Sequence, residues 1–326
     1  MIMKILCIGE SLLEITCPVN ELINEGTDYR LEEKIETGGG HAGNIAYLLG
    51  KWGIETYIAS MLGADDFAEK IKKEYENIGV KTDYIETSYD RGTALTLSII
   101  NKTTKNNTTF NLSNNAPLKK YSFVIEPDFI VSDGNDFNAT MSAIDKYSKA
   151  TSVLIVTKNN NEIVELCRYA KYIILNKKTA EEISGIKIDY NDSSTLVNIY
   201  NKFKQKFNKE IILTLNEKGV VYANDGQIKI MPPLNVQIED TNGVDDTFAG
   251  AFIYALSRNF ELEKAITYGV IAGSLNASKA TSRLAIPSLT EVASYYDNKF
   301  GTPMSNNQQN NIETLENNDN TKNATN

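Results

Sequence analysis

The chain has 326 residues, room for one large α/β domain or two ordinary ones. Apolar residues make up 41% and charged residues 23%, a balance that can bury a large core. The net charge of -9 repels phosphate backbones and argues against nucleic acid as a partner, yet backbone N–H groups could still build a local phosphate pocket.

In chain order, Ile5 to Ile8 reads as a buried first strand. Asn44 to Trp52 carries apolar residues at helical spacing, with Gly53 as a stop. Thr56 to Leu62 reads as a strand and Asp65 to Ile78 as a helix. Further strands are expected at Phe129 to Val131, Val153 to Val156, Tyr172 to Leu175 and Ile211 to Thr214. Repeated strand–helix units predict a mostly parallel sheet with helices on both faces. Two stretches break the rhythm. Ser11 to Arg30 has no helix signal, and Gly92 to Leu112 alternates apolar and polar residues around a polar turn at Lys102 to Asn107. These segments, about 11–30 and 92–115, predict a small accessory sheet serving as a lid or dimer surface; an edge hairpin on the main sheet fits the pattern equally well. Residues 301–326 are dominated by Asn and Gln and are expected to be a disordered tail, so the globular domain is expected to span 1–300.

Cys7, Cys17 and Cys167 show no metal-ligand spacing and read as free thiols of a cytoplasmic protein. The N-terminal apolar run is too short for a signal peptide, and no run is long enough to cross a membrane. No metal site built by side chains is expected.

The segment Asp240-Thr241-Asn242-Gly243 reads as a turn after a strand end at Val236 to Ile238. From Asp246 onward, Phe248, Ala249, Phe252, Ile253 and Leu256 repeat at helical spacing. Such a turn delivers unpaired N–H groups to a helix N-terminus, which is an anion site. Asp246 there could accept a proton from a hydroxyl attacking a bound phosphoryl group, or Asp245 and Asp246 could simply cap the helix. A Gly-rich turn, Thr37 to Asn44, precedes the first helix and lets backbone approach a ligand. His41, the one histidine, could donate to a substrate hydroxyl or serve only the turn.

The segment Asp240 to Gly250 resembles the C-terminal motif of the ribokinase-like (PfkB) carbohydrate kinases, Asp-Thr-x-Gly-Ala-Gly-Asp-x-Phe-x-x-Gly, with Asp240, Thr241, Gly243, Asp246 and Phe248 in register. Gly39, Gly40 and Asn44 match the family's N-terminal Gly-Gly-x-x-x-Asn, and Gly9-Glu10 to Glu14 is similar to its Gly-Glu-x-x-x-Asp, with Glu14 at the Asp position. Gly63, Asp65 and Ala68 resemble its Gly-x-Asp-x-x-Gly. The resemblance spans about residues 1 to 300. It implies a three-layer α/β/α fold with a mostly parallel sheet and a small β lid. It also implies transfer of the ATP γ-phosphoryl group, with Mg2+, to a hydroxyl of a sugar or sugar acid. Asp246 is then the catalytic base, and the amides of Gly243, Val244, Asp245 and Asp246 form the anion hole. Glu14, Gly39, Gly40 and Asn44 contact the acceptor. Asn176, Thr214, Asn216, Gly219 and Asn276 flank the nucleotide. A homodimer through the lid is a further implication.

The departures fall mainly on the phosphate side. Asp245 replaces a glycine, Thr179 a glutamate, Asn216 and Leu284 further glycines. A carboxylate about 6 Å from a phosphate charge costs roughly 3 kcal/mol at an effective dielectric near 20. The alternative is therefore a feeble relative that binds a sugar or nucleoside as a sensor. A dinucleotide dehydrogenase is excluded, because no Gly-x-Gly-x-x-Gly follows the first strand.

Overall fold

The computed structural model describes residues 3–20, 24–104, 107–113 and 116–300. The expected tail lies outside the described residues, as does the tip of the predicted polar turn. In chain order, the first part contains β1 (Lys4–Ile8), β2 (Leu12–Val19), β3 (Ile35–Gly39), α1 (His41–Lys51), β4 (Glu55–Gly63), α2 (Asp66–Asn77), β5 (Lys81–Ser88), β6 (Leu95–Asn101) and β7 (Asn107–Leu112). Next come β8 (Phe129–Ser132), α3 (Phe137–Lys146), β9 (Thr151–Val156), α4 (Asn161–Leu166), β10 (Tyr172–Asn176), α5 (Lys177–Ser184) and α6 (Ser194–Phe207). The rest is β11 (Glu210–Thr214), β12 (Val220–Asn224), β13 (Gln227–Met231), α7 (Val244–Ser257), α8 (Leu262–Ala277) and α9 (Leu289–Phe300).

The main sheet runs β13-β12-β11-β10-β9-β8-β1-β4-β5. Its strands are parallel from β11 to β5, and β12 and β13 close one edge antiparallel. Side-chain alternation sorts the helices into two layers. Ile5, Val153, Ile155, Ile174 and Ile212 point to the face packed by α1, α7 and α8. On the other face, Leu154, Val156, Ile173, Leu175 and Leu213 meet α4, α5 and α6. Leu6 and Ile8 extend that face toward α3. Parallel strands covered on both faces read as continuous apolar runs, which is why these strands were legible.

The chain leaves β1 in one direction for β4 and β5 and returns on its other side at β8. The C-terminal ends of β1 and β8 therefore flank a topological switch point, where open α/β sheets place their ligands.

The segments that broke the rhythm supply β2, β6 and β7 of a second sheet, β3-β2-β6-β7, rather than an edge of the first; its remaining strand, β3, takes in Thr37 to Gly39, which were expected to belong to a turn. β2 pairs parallel with β6, and the other two pairs are antiparallel. Asp65 ties it down: its carboxylate caps α2 through Ala68 N and accepts from Thr93 N and Oγ1 just before β6. Two expectations need correction. Val236 to Ile238 is not a strand; after β13 the consecutive Pro232 and Pro233 lack N–H donors and end the ladder. The helix expected from Asp246 begins at Val244.

Candidate active site

At the switch point, Gly9 follows β1 and Asp133 follows β8. Asp133 is 1% exposed, and its carboxylate accepts from Glu10 N at 2.8 Å, Ala42 N at 3.3 Å and Asn135 N at 2.9 Å. It therefore joins the ends of two strands to the start of α1. Gly40 enters α1 at φ 87°, and a Cβ there would overlap the Glu10 carbonyl, so only glycine lets the loop close this tightly.

Gly243 starts α7 at φ 75°, where a Cβ would lie 2.6 Å from the Ser282 Cβ. Asp240 holds the turn, accepting from Asn242 N and Thr281 N. The first helical bond of α7 runs from Thr247 N to Gly243 O, so the N–H groups of Val244, Asp245 and Asp246 all precede it. These three N–H groups therefore have no partner within the helix.

Asp246, 4% exposed, faces the start of α1. His41 Nδ1 lies 2.7 Å from its Oδ1, and Asn44 Nδ2 donates to its Oδ2 at 2.9 Å. The carboxylate beside His41 holds the imidazolium proton, raising its pKa from 6.5 to about 10 against the opposing effect of burial. Asp133 and Glu10 add to this. Glu14 is also buried, and Ser282 Oγ donates to it at 2.5 Å. Burial pushes its carboxyl up, the Ser282 hydrogen bond opposes this, and the charge of Asp240 adds to it. Gly39 packs against Glu14, so the four predicted acceptor residues, Glu14, Gly39, Gly40 and Asn44, gather beside Asp246. They form a closed cluster; the adjoining open cavity, of about 350 Å³, is lined by Glu10, Ser11, Ser60, Asn135, Asp136 and Lys158.

Beneath the cluster lies Arg283, 1% exposed. It donates to Asn44 Oδ1 at 3.2 Å, Glu74 Oε2 at 3.1 Å and the Gly39 carbonyl at 3.2 Å. Its guanidinium stacks 5.0 Å from the Tyr47 ring and 5.2 Å from Tyr75. Sequence reasoning gave roles to neither Arg283 nor Asp133, because the partners that tie Arg283 to the cluster, and Asp133 to Glu10 and Ala42, lie more than 90 residues away in the chain. His41 was noticed but not paired with Asp246.

On the opposite side of α7 opens a cavity of about 500 Å³. Its walls include Thr214, Asn216, Gly219, Val236, Ile238, Thr241, Val244, Asp245, Phe248 and Gly273. Thr214, Asn216 and Gly219 were predicted there. Asn276 does not line it: fully buried, it donates to the Ser282 carbonyl at 2.9 Å and ties α8 to the 281–285 segment, while its neighbour Ala277 reaches the cavity. Asn176 spends its Oδ1 capping α5 at Thr179 N. It lines a small cavity of about 20 Å³ shared with His41, Thr214 and Asp245. Thr214 and Asp245 thus border both cavities. Burial raises the Asp245 pKa, a hydrogen bond with Thr214 opposes this, and the charge of Asp246 adds to it.

Among the described residues no cluster of three or more His, Cys, Asp or Glu side chains could hold a metal. Magnesium bound mainly through nucleotide phosphates needs only one or two carboxylates, and Asp245 between the two cavities fits that demand. No helix among the described residues is long and apolar enough to cross a membrane.

The sequence and fold have counterparts among known proteins. The chain is 26% identical over 300 residues to ribokinase of Staphylococcus aureus (strain COL), covering 89% of this chain and 98% of the relative. It is 27% identical over 252 residues to adenosine kinase of Schizosaccharomyces pombe, covering 66% and 71%. The solved structure of Arabidopsis thaliana ribokinase complexed with ribose and ATP superimposes with a TM-score of 0.77 at 17% identity, covering 90% of this chain and 98% of that one, and shares its fold. A sequence model of the pfkB family carbohydrate kinases matches residues 3–289. The chain belongs to the PfkB family of carbohydrate kinases, phosphotransferases with an alcohol group as acceptor.

Proposed function

We propose that the protein transfers the γ-phosphoryl group of ATP to a hydroxyl of a sugar or sugar acid, with Asp246 as general base. One observation carries this reading. Asp246 sits at the N-terminus of α7, with the acceptor cluster on one side and the 500 Å³ cavity on the other. That cavity suits a nucleotide: Phe248, Val236 and Ile238 offer apolar walls, and Thr241, Val244 and Asp245 lead from it to the amide turn. The amides of Gly243, Val244, Asp245 and Asp246 would receive the transferring group, where fixed donors stabilise developing charge best. Magnesium, when bound, neutralises phosphate charge, and Asp245 would hold it. Glu14, Gly39, Gly40 and Asn44 would grip the acceptor near the reacting hydroxyl, and Glu10, Ser11 and Ser60 would meet its far end.

The second sheet would act as a lid, since it carries Glu14 and Gly39 over the cleft and Asn242 Nδ2 of the amide turn reaches Ser98 on β6 at 3.4 Å. Phe110 and Leu112 on β7, 55% and 67% exposed, would cover one another in a homodimer of this cytoplasmic enzyme.

The test is ATP turnover with Mg2+ over a panel of sugars, sugar acids and nucleosides, with Asp246→Asn beside it. The variant should bind acceptor in a thermal-shift assay and lose turnover by about 10⁴-fold, as expected for removal of a general base. Retained turnover removes Asp246 from this role. Acceptor stabilisation of the unaltered protein with no effect of ATP would favour the sensor reading, which Asp245 in the amide turn supports.

A further inference from the structure

Asn44 stands between two groups that cannot exchange roles. Arg283 Nε donates to its Oδ1 at 3.2 Å, and its own Nδ2 donates to Asp246 Oδ2 at 2.9 Å. A guanidinium carries donors only, and an ionised carboxylate only accepts. The amide therefore has one sense. Turned over, it would set oxygen against carboxylate oxygen and nitrogen against guanidinium nitrogen. Asn44 is 5% exposed, so solvent would relieve neither contact. One N–H of the amide goes to Asp246, which leaves the other for an acceptor hydroxyl.

The guanidinium itself is held from several elements. Glu74 on α2 and the Gly39 carbonyl at the end of β3 accept from it, and its carbon lies over the rings of Tyr47 on α1 and Tyr75 on α2. Tyr75 is bonded in turn to Ser11 Oγ at 2.8 Å. The Gly-rich segment before α1 leaves room for this side chain. Gly38 has no positive φ, yet a Cβ there would overlap Arg283 Nη1, so close approach of Arg283 is what that position requires. Glu74 offsets the charge of Arg283, so what reaches Asp246 through Asn44 is orientation rather than net charge.

We propose that Arg283 is a positioning residue for phosphoryl transfer: by holding Asn44 Oδ1 it fixes the amide that orients Asp246 and meets the acceptor, and it touches neither. The inference rests on the kinase reading above, in which Asp246 is the base.

A double-mutant cycle between Arg283 and Asn44 tests it in the full-length protein. Arg283→Met should lower kcat/KM for the acceptor by at least about tenfold, since a misplacement near 1 Å at a reacting group costs about 10²-fold. In an Asn44→Ala background no amide remains to be held, and the same change should alter kcat/KM by less than about threefold. Tm should fall in both backgrounds, because the contacts with Glu74, Gly39, Tyr47 and Tyr75 are lost in each. Acceptor affinity, read by calorimetry without turnover, should show the same coupling as kcat/KM. If Arg283→Met does not fold, Gly38→Ala takes its place, because its added methyl displaces the guanidinium without removing it. Equal losses of kcat/KM in the two backgrounds would mean that Arg283 serves the fold alone. That result, or an Arg283→Met protein as active as the parent, overturns the inference and leaves the kinase reading standing. A parent that phosphorylates no acceptor removes both.

Discussion

Replacing Arg283 by Met should destabilise the protein strongly and loosen the site. Methionine keeps much of the side-chain volume but none of the donors. Two buried acceptors, Asn44 Oδ1 and the Gly39 carbonyl, then lose a partner. Each costs about 1–3 kcal/mol when left unsatisfied. Glu74 keeps the Gly38 amide at 2.8 Å and is 24% exposed, so solvent screens part of its loss. Stacking against Tyr47 and Tyr75 also goes, at about 0.5–2 kcal/mol. These parts span about 2.5–8 kcal/mol, and the cost of breaking a buried ion pair by removing one partner, about 3–5 kcal/mol, falls within that span and is the value expected here. At about 2–4 °C per kcal/mol for a domain approaching this size, Tm should fall by roughly 6–20 °C. Differential scanning calorimetry reads this directly, and Glu74→Gln in the same background should restore part of it by removing the unpaired carboxylate. Turnover should fall as well, because Asn44 would no longer be held against Asp246. A Tm within about 2 °C of the parent, worth less than 1 kcal/mol, would refute this account of Arg283.

Gly243→Ala forces a positive φ on a residue with a Cβ, which then meets Ser282, and should cost about 1–3 kcal/mol in urea unfolding; a neutral result would mean that the turn relaxes. Ala277→Phe should project into the 500 Å³ cavity proposed for the nucleotide and raise KM for ATP by about tenfold or more while leaving acceptor binding unchanged, as equilibrium binding of each ligand would show. Stability should decline on the alkaline side. The folded pKa of His41 is raised, so its contribution is complete below about pH 6.5 and is lost as pH rises toward about 10. The raised carboxyls of Glu10, Glu14 and Asp245 act in the same direction at lower pH, since folding favours their protonated forms. A Tm series from weakly acid to alkaline pH should therefore fall, and His41→Gln should flatten its alkaline part; a rising series would contradict these assignments.

Sequence alone determined the α/β architecture, because strands buried on both faces, such as β9 and β10, must be apolar along their whole length. It also located the turn before α7 and the Gly-rich loop before α1, since only glycine adopts the positive φ at Gly40 and Gly243 without cost. It left open whether Gly92 to Leu112 edges the main sheet or forms another, because period-two alternation is the same in both; pairing of β6 with β2 decided it. Val236 and Ile238 alternate as a strand does, but past Pro232 and Pro233 they serve as cavity wall. The tertiary structure alone brought His41 to Asp246, 205 residues away, and Arg283 to Asn44, 239 residues away. Local pattern reports what a residue's neighbours in the chain demand of it. The charge balance around Asp246 depends on partners that only the closed fold brings within hydrogen-bonding distance.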